Sequence, residues 1–320
     1  MHPRFDWVQS IASNHELRMM KTKTQITRLF CILVLGTLVA CGPDARLDLI
    51  GNISGTSPRI DLRFADSENY NATHPFVTIY ATIEDYHVYV CTDTHITTEV
   101  GRWQSFVGAY RQDMACPVAI HLGDVVDAQN HFQDVSNALV EVPRNPSKQD
   151  TLMVVAGNHD ICFSQWPAFI ETFKTSTYYF IVQTPQGQRD LYIMFDSAEG
   201  TVGGKQLTWL KNTLAAAKEQ NFRHIVACTH THFFMRDASQ GIATNFAIEE
   251  TYTLLNLFQS HGVDMVWTGH DHSREVTLYK DMTCITVDSM TPKDKSPHYM
   301  CVTMGDKITY DFLPVVVMQK

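Results

Sequence analysis

From about residue 86 the chain alternates short apolar runs with stretches of helical periodicity. The run "YHVYVC" (86–91) is rich in aromatic and β-branched residues, the composition of a strand. Behind it Trp103, Phe106, Val107, Tyr110 and Met114 recur at helical spacing and predict one apolar face. The segment "CPVAIHLG" reads as the next strand, residues 131–140 as a second helix, and "TLMVVAG" as a strand covered on both faces. Residues 177–183 and 190–197 predict two further strands. A helix near 205–220 would then turn Leu207, Leu210, Leu214 and Ala217 inward, before the strand "HIVACT". A helix over 248–261 and the strand "VDMVW" follow, and from Arg274 onward the pattern alternates like antiparallel strands between turns. Such alternation predicts an α/β chain, a sheet core flanked by helices. The strand clusters at 177–197 and after 274 predict a second sheet packed on the first.

The first eighty residues follow a different pattern. Lys21, Lys23 and Arg28 precede a mostly apolar run from Leu29 to Ala40. That run is short for a membrane-spanning helix, which needs about twenty residues. Its end, Leu38-Val39-Ala40-Cys41-Gly42, resembles the lipobox of bacterial lipoproteins. The resemblance implies that residues 1–41 are a signal peptide and that Cys41 is the site of lipid attachment. The chain would then be exported and held by lipid at the outer membrane, facing the periplasm or the cell surface. An ordinary signal peptide or a short buried helix is the alternative. A basic region running back to Met1 would be unusually long and would contain Asp6 and Glu16, so translation is expected to begin at Met19 or Met20. Residues 42–80 read as a polar leader or tether, with "RLDLIGNI" as an optional edge strand, and 81–320 as the folded domain.

Composition changes this picture little. Of 320 residues, 44% are hydrophobic and 18% charged, ordinary values for a globular chain with a sizeable core. The net charge of −9 argues against a nucleic-acid partner, which normally rests on a basic face. It leaves a phosphorylated substrate open, since bound cations can reverse the sign locally. Six of the eight cysteines lie beyond Cys41, and export would permit disulfides among them. Cys91 and Cys228 sit in apolar runs and are expected to be buried free thiols.

The unusual chemistry falls at five predicted strand ends. They read "CTDTHI" with Asp93 and His95, "HLGDVVD" with Asp124 and Asp127, "GNHD" with Asn158, His159 and Asp160, "CTHTHF" with His230 and His232, and "WTGHDHS" with His270 and His272. Residues two apart on an extended segment project to the same side, so Asp93 and His95 can reach one point. Each piece alone is weak, because a strand-end Asp is usually a helix cap. All five at the carboxyl edge of a sheet is a different matter, since ligands bind at that edge in α/β folds.

In that order, D-x-H, G-D-x-x-D, G-N-H-D, a strand-end His and G-H-x-H resemble the signature of the calcineurin-like metallophosphoesterases, over roughly residues 87–275. The resemblance implies a four-layer αββα sandwich of two mixed β-sheets flanked by helices. It implies two divalent or transition metal ions (Fe, Mn or Zn). Asp93, His95 and His272 would bind the first, Asn158, His230 and His270 the second, and Asp124 would bridge them. Two cations about 3.5–4 Å apart can acidify a shared water to hydroxide and neutralise phosphoryl oxygens. His159 would serve the reacting oxygens as a catalytic residue, with Asp160 orienting its imidazole or capping the following turn. Asp127 stands where purple acid phosphatases carry a metal-binding Tyr and is expected to support the site or cap a turn. His232 could contact substrate or be merely polar, and His121 is expected to be a satisfied core histidine. The expected activity is metal-dependent hydrolysis of a phosphorylated small molecule or phosphate ester. The alternative is a surface lipoprotein that binds metal without turnover.

Overall fold

The structure, a computed structural model, describes residues 59–75, 77–128, 131–148, 150–234 and 245–317. Cys41, the apolar run before it and "RLDLIGNI" lie outside the described residues.

Twelve strands are described: β1 (Thr78–Tyr80), β2 (Tyr86–Cys91), β3 (Val118–His121), β4 (Leu152–Val154), β5 (Tyr178–Gln183), β6 (Arg189–Met194), β7 (His224–Cys228), β8 (Met265–Thr268), β9 (Glu275–Tyr279), β10 (Met282–Thr286), β11 (His298–Met304) and β12 (Ile308–Pro314). One sheet runs β1-β5-β6-β7-β8-β10-β9 and the other β12-β11-β2-β3-β4. Both are mixed. Strands β2, β3 and β4 are parallel, as are β6, β7, β8 and β10, while β9, β11 and β12 pair antiparallel.

Side-chain alternation builds the layers. Along β2, Val88 and Val90 join the core between the sheets, together with Ile120, Phe180, Tyr192, Trp267 and Met300. Tyr89 and Cys91 face the other way, onto α2 (Gly101–Gln112), α3 (Phe132–Glu141) and α5 (Trp166–Phe173), through Phe106, Val135 and Phe169. Leu191, Ile193 and Ile225 of the larger sheet pack on α6 (Gly203–Lys218) and α7 (Ile248–Ser260), through Leu210, Leu214, Leu254 and Phe258. Three apolar layers between four structural ones make an αββα sandwich. The six described cysteines are free thiols, Cys91 and Cys228 fully buried among them.

Two expectations need correction. Strands β5 and β6 do lie in a second sheet, apart from β2, β3 and β4, but β7 and β8 belong to it with them, and the tail divides between both sheets. Period-two alternation assigns a face to a side chain but does not name the neighbouring strand. The second half of the expected tether is also folded. It carries α1 (Ile60–Thr73), whose Ile60, Arg63, Phe64 and Ser67 are buried. Arg63 Nε donates to Asp196 Oδ2 at 2.8 Å and Nη2 to Asp196 Oδ1 at 3.1 Å. A helix whose inward face includes an arginine and a serine leaves little apolar periodicity to read.

Candidate metal centre

Every strand that ends in a candidate residue is part of a parallel run, so their carboxyl ends share one edge of the sandwich. β2 leads to Asp93 and His95, β3 to Asp124, and β4 to Asn158, the first residue of α4 (Asn158–Ile161). From the other sheet, β7 leads to His230, and β8 to His270 and His272.

The backbone bends sharply to aim these side chains. Five of the eight non-glycine residues with positive φ among the described residues are Asp93 (50°), His95 (42°), Asp124 (54°), His270 (71°) and His272 (55°). Each such residue costs roughly 1–3 kcal/mol and persists only where its surroundings over-determine it. Here a ladder between two loops does so: Asp93 N–H donates to Gly123 O (3.0 Å), His95 N–H to Asp124 O (3.1 Å) and Ile96 N–H to Val125 O (2.9 Å).

The side chains gather into two groups that share Asp124. Asp93, His95, Asp124 and His272 bring one ligand atom each within 4.8 Å of the others, and so do Asp124, His230 and His270. The Asp124 carboxylate divides itself between them, Oδ2 lying 3.6 Å from His95 Nε2 and Oδ1 3.5 Å from His230 Nε2. His95 Nε2 faces His272 Nε2 at 3.1 Å, and His230 Nε2 faces His270 Nδ1 at 3.2 Å.

Whether these residues suit a cation can be judged from their protons. His230 Nδ1 lies 2.8 Å from Leu122 O, and a carbonyl can only accept, so Nδ1 carries the hydrogen and Nε2 presents a lone pair. Asn158 Oδ1, also an acceptor, stands 3.0 Å from that nitrogen. Asp93 Oδ2 accepts from Thr92 Oγ1 (2.7 Å) and His270 N–H (2.9 Å), while its buried Oδ1 receives no hydrogen bond of normal geometry. Converging acceptors without donors are what a metal ion satisfies. The all-nitrogen-and-oxygen donor set, with no thiolate, suits Fe, Mn or Zn. The residues fit two such ions.

Electrostatics point the same way. Burial drives His95 down to about 4 and His270 to about 3, and it lowers His230, keeping these imidazoles neutral as ligands must be. His272 is raised, chiefly by its contact with Asp93. Burial and then the neighbouring Asp93 carboxylate push Asp124 well above the usual carboxylate range. Asp93 itself is lowered; burial opposes this, and the His272 contact and surrounding imidazoles outweigh it.

His159 sits beside this cluster, its side chain 41% exposed and its ring edge-on to His95 with centroids 4.4 Å apart. Its partner is not Asp160. Asp127 Oδ1 lies 3.1 Å from His159 Nδ1, and this carboxylate also approaches His95 Nδ1 at 3.7 Å. Asp160 is buried and turned into the loops, where Oδ1 accepts Val125 N–H (2.9 Å) and Val126 N–H (3.2 Å) and Oδ2 accepts Gly157 N–H (2.9 Å). The expected orienting role of Asp160 is thus corrected: it ties the "GNHD" loop to the loop of Asp124. The G-D-x-x-D spacing was the available signal for Asp127. His232 is buried and lies against His270, with ring centroids 5.7 Å apart, and belongs to neither group. His121 is fully buried and hydrogen-bonded on both nitrogens, as expected.

Gly157 leaves no room for a side chain. A Cβ there would fall 2.2 Å from both Asp124 N and Asp124 Oδ1. Gly157→Ala is therefore expected to displace the shared carboxylate, destabilising the fold by about 1–3 kcal/mol. The purified variant should retain less than half the wild-type metal on elemental analysis, and full retention would contradict the assignment of Asp124.

Comparison with known proteins follows the same line. Among solved structures, the fold is similar to a dimetal phosphatase from Danio rerio, 12% identical with a TM-score of 0.55, over 73% of this chain and 100% of that one. It is similar to a purple acid phosphatase from yellow lupin (Lupinus luteus) seeds, 12% identical with a TM-score of 0.54, over 72% of this chain and 52% of that one. It is also similar to GAP50, described as the anchor in the inner membrane complex of Plasmodium, 15% identical with a TM-score of 0.53, over 73% and 87%. At these identities the likeness shows the fold alone. No curated protein matches the sequence. Residues 86–274, which span every strand end described above, match the sequence pattern of the calcineurin-like phosphoesterases, and the chain belongs to that family.

Proposed function

We propose that this chain hydrolyses phosphate esters at a dinuclear centre. Asp93, His95 and His272 would hold one ion, Asn158, His230 and His270 the other, and Asp124 both. The observation that carries this reading is the Asp124 carboxylate, one oxygen turned to each histidine group. Bound there, two such ions supply Lewis acidity to the phosphoryl oxygens and to the attacking water. The chain's own residues then position and transfer protons. With Nδ1–H donated to Asp127, the neutral His159 ring presents Nε2 as an acceptor; as the imidazolium, which burial disfavours and the Asp127 carboxylate favours, it would donate the Nε2 proton to the departing oxygen. His159 N–H donates to Asp124 Oδ1 at 2.7 Å, so the same residue also steadies the shared carboxylate.

The test is reconstitution with Mn²⁺ and a panel of mono-, di- and pyrophosphate esters. We expect two ions per chain, hydrolysis of at least one ester class, and complete loss of activity on chelation. One ion or none would overturn the dinuclear reading. Two ions with no hydrolysis would favour a metal-binding protein without turnover.

Export and lipid anchoring rest on the Leu38–Cys41 pattern and the short apolar run before it. The expected result is that Cys41→Ser abolishes acylation and releases the protein from the membrane fraction. A variant that still fractionates with membranes in the same processed form would contradict it.

A further inference from the structure

Thr94 stands between two residues assigned to one ion, and both neighbours, Asp93 (φ 50°) and His95 (φ 42°), hold left-handed backbone. Its own side chain turns away from the ligands. Thr94 Oγ1 donates to Val125 O at 2.8 Å and lies 2.9 Å from His121 Nε2. On the other side of that ring, Gly123 N–H donates to His121 Nδ1 at 3.1 Å. An N–H only donates, so Nδ1 is unprotonated and Nε2 carries the hydrogen. That hydrogen goes to Thr94 Oγ1, and the hydroxyl proton goes on to Val125 O. The chain of hydrogen bonds has one direction and no spare proton. It is also buried, with His121 fully and Thr94 almost fully removed from the surface and Trp103 packed edge-on against the imidazole at 5.7 Å.

The two ends of this chain matter. Gly123 and Val125 flank Asp124, and Thr94 separates Asp93 from His95. Three of the four residues in the first group are therefore adjacent to an atom that His121 holds directly or through Thr94. An apolar residue at 121 could fill the volume, but it would leave the buried Gly123 N–H without its acceptor and the Thr94 hydroxyl with Val125 O as its remaining partner. Resting on the metal-centre reading above, we propose that His121 is a positioning residue which, through Thr94, sets the geometry of Asp93, His95 and Asp124 toward the first ion.

The experiment is calorimetric titration of the chelator-stripped full chain with Mn²⁺, alongside thermal melts without metal. Thr94→Val removes the hydroxyl at constant shape, and Thr94→Ser restores it. His121→Asn keeps an acceptor for Gly123 but cannot reach Thr94. Groups that orient metal ligands typically contribute about 10–100-fold in metal affinity, and we expect Thr94→Val and His121→Asn each to weaken the first ion by that factor. Thr94→Ser should recover most of the loss, and the double variant should lose no more than either single one, because the pair acts as a unit. A role confined to folding would lower the melting temperature and leave Mn²⁺ affinity alone. Wild-type affinity in both single variants, additive losses in the double variant, or failure of both single variants to fold would each overturn the proposal. A wild-type chain that takes up no Mn²⁺ would instead bring down the metal-centre reading.

Discussion

His159→Ala is expected to lower kcat by about 10²–10⁴-fold, roughly 2.7–5.4 kcal/mol, while both metal ions remain bound. The separation follows from where the ring sits. His159 is partly exposed, its Nδ1 is engaged by Asp127 at 3.1 Å, and it approaches the ligands edge-on. Removing the ring leaves the backbone N–H that supports Asp124 Oδ1 in place, so the shared carboxylate should hold its position. His270→Ala should behave differently, losing metal together with activity, because its ring packs against His230 at 3.2 Å inside the cluster. The loss at His159 should depend on the leaving group. Nitrophenolate departs with little protonation, so its ester should suffer less than an alkyl ester. Equal losses would point to stabilisation of the phosphoryl oxygens instead of proton donation. Asp127→Asn, which removes the charge that faces Nδ1, should reproduce part of the defect. Loss of metal from His159→Ala would sink this division of labour.

Arg63→Ala should destabilise the domain by about 3–5 kcal/mol, the usual cost of leaving a buried charge without its partner. Arg63 is fully buried, bidentate on Asp196, 3.2 Å from Glu199 and stacked over Trp166 with 5.7 Å to the ring centroid. Burial works to lower its pKa, and Asp196 and then Glu199 overcome this, so the guanidinium is held even more firmly charged than usual. Truncation would strand the Asp196 carboxylate, which is itself buried. The melting temperature should fall on the order of 10 °C. Arg63→Lys should recover little, because an ammonium cannot reproduce the two-pronged geometry. A combined Arg63→Met and Asp196→Asn variant should be more stable than Arg63→Ala, since it removes both charges. An Arg63→Ala variant melting at the wild-type temperature would show that α1 is dispensable to the domain.

Arg63 also shows where the sequence was hard to read. An arginine within "IDLRFADSENYNAT" reads as a solvated residue, and only its carboxylate partner 133 positions away makes it a core residue. Asp160 shows the same limit at short range. It follows His159 directly, which favoured the pairing, yet consecutive helical residues point about 100° apart. The position 32 residues upstream, Asp127, arrives instead from the loop after β3. The glycines of the motifs were easier to notice than to explain. Gly157 is there because the Asp124 carboxylate occupies the space where its Cβ would go.

What the sequence by itself determined is local: the strands, their buried faces, and the residue types delivered at their carboxyl ends. Period-two alternation and apolar runs are short-range properties, and they were enough to place Asp93, His95, Asp124, Asn158, His230, His270 and His272 at strand ends. Only the tertiary structure decided that the ends of β2, β3 and β4 from one sheet meet those of β7 and β8 from the other. Strand order depends on contacts between segments as distant as Tyr86 and Met304, for which alternation carries no address. The left-handed turns at Asp93, His95, Asp124, His270 and His272 belong to the same category, since no side chain at those positions prefers that backbone strongly enough to announce it. The loops hold it because they are hydrogen-bonded to one another, and they could be so only once the sheet had put them side by side.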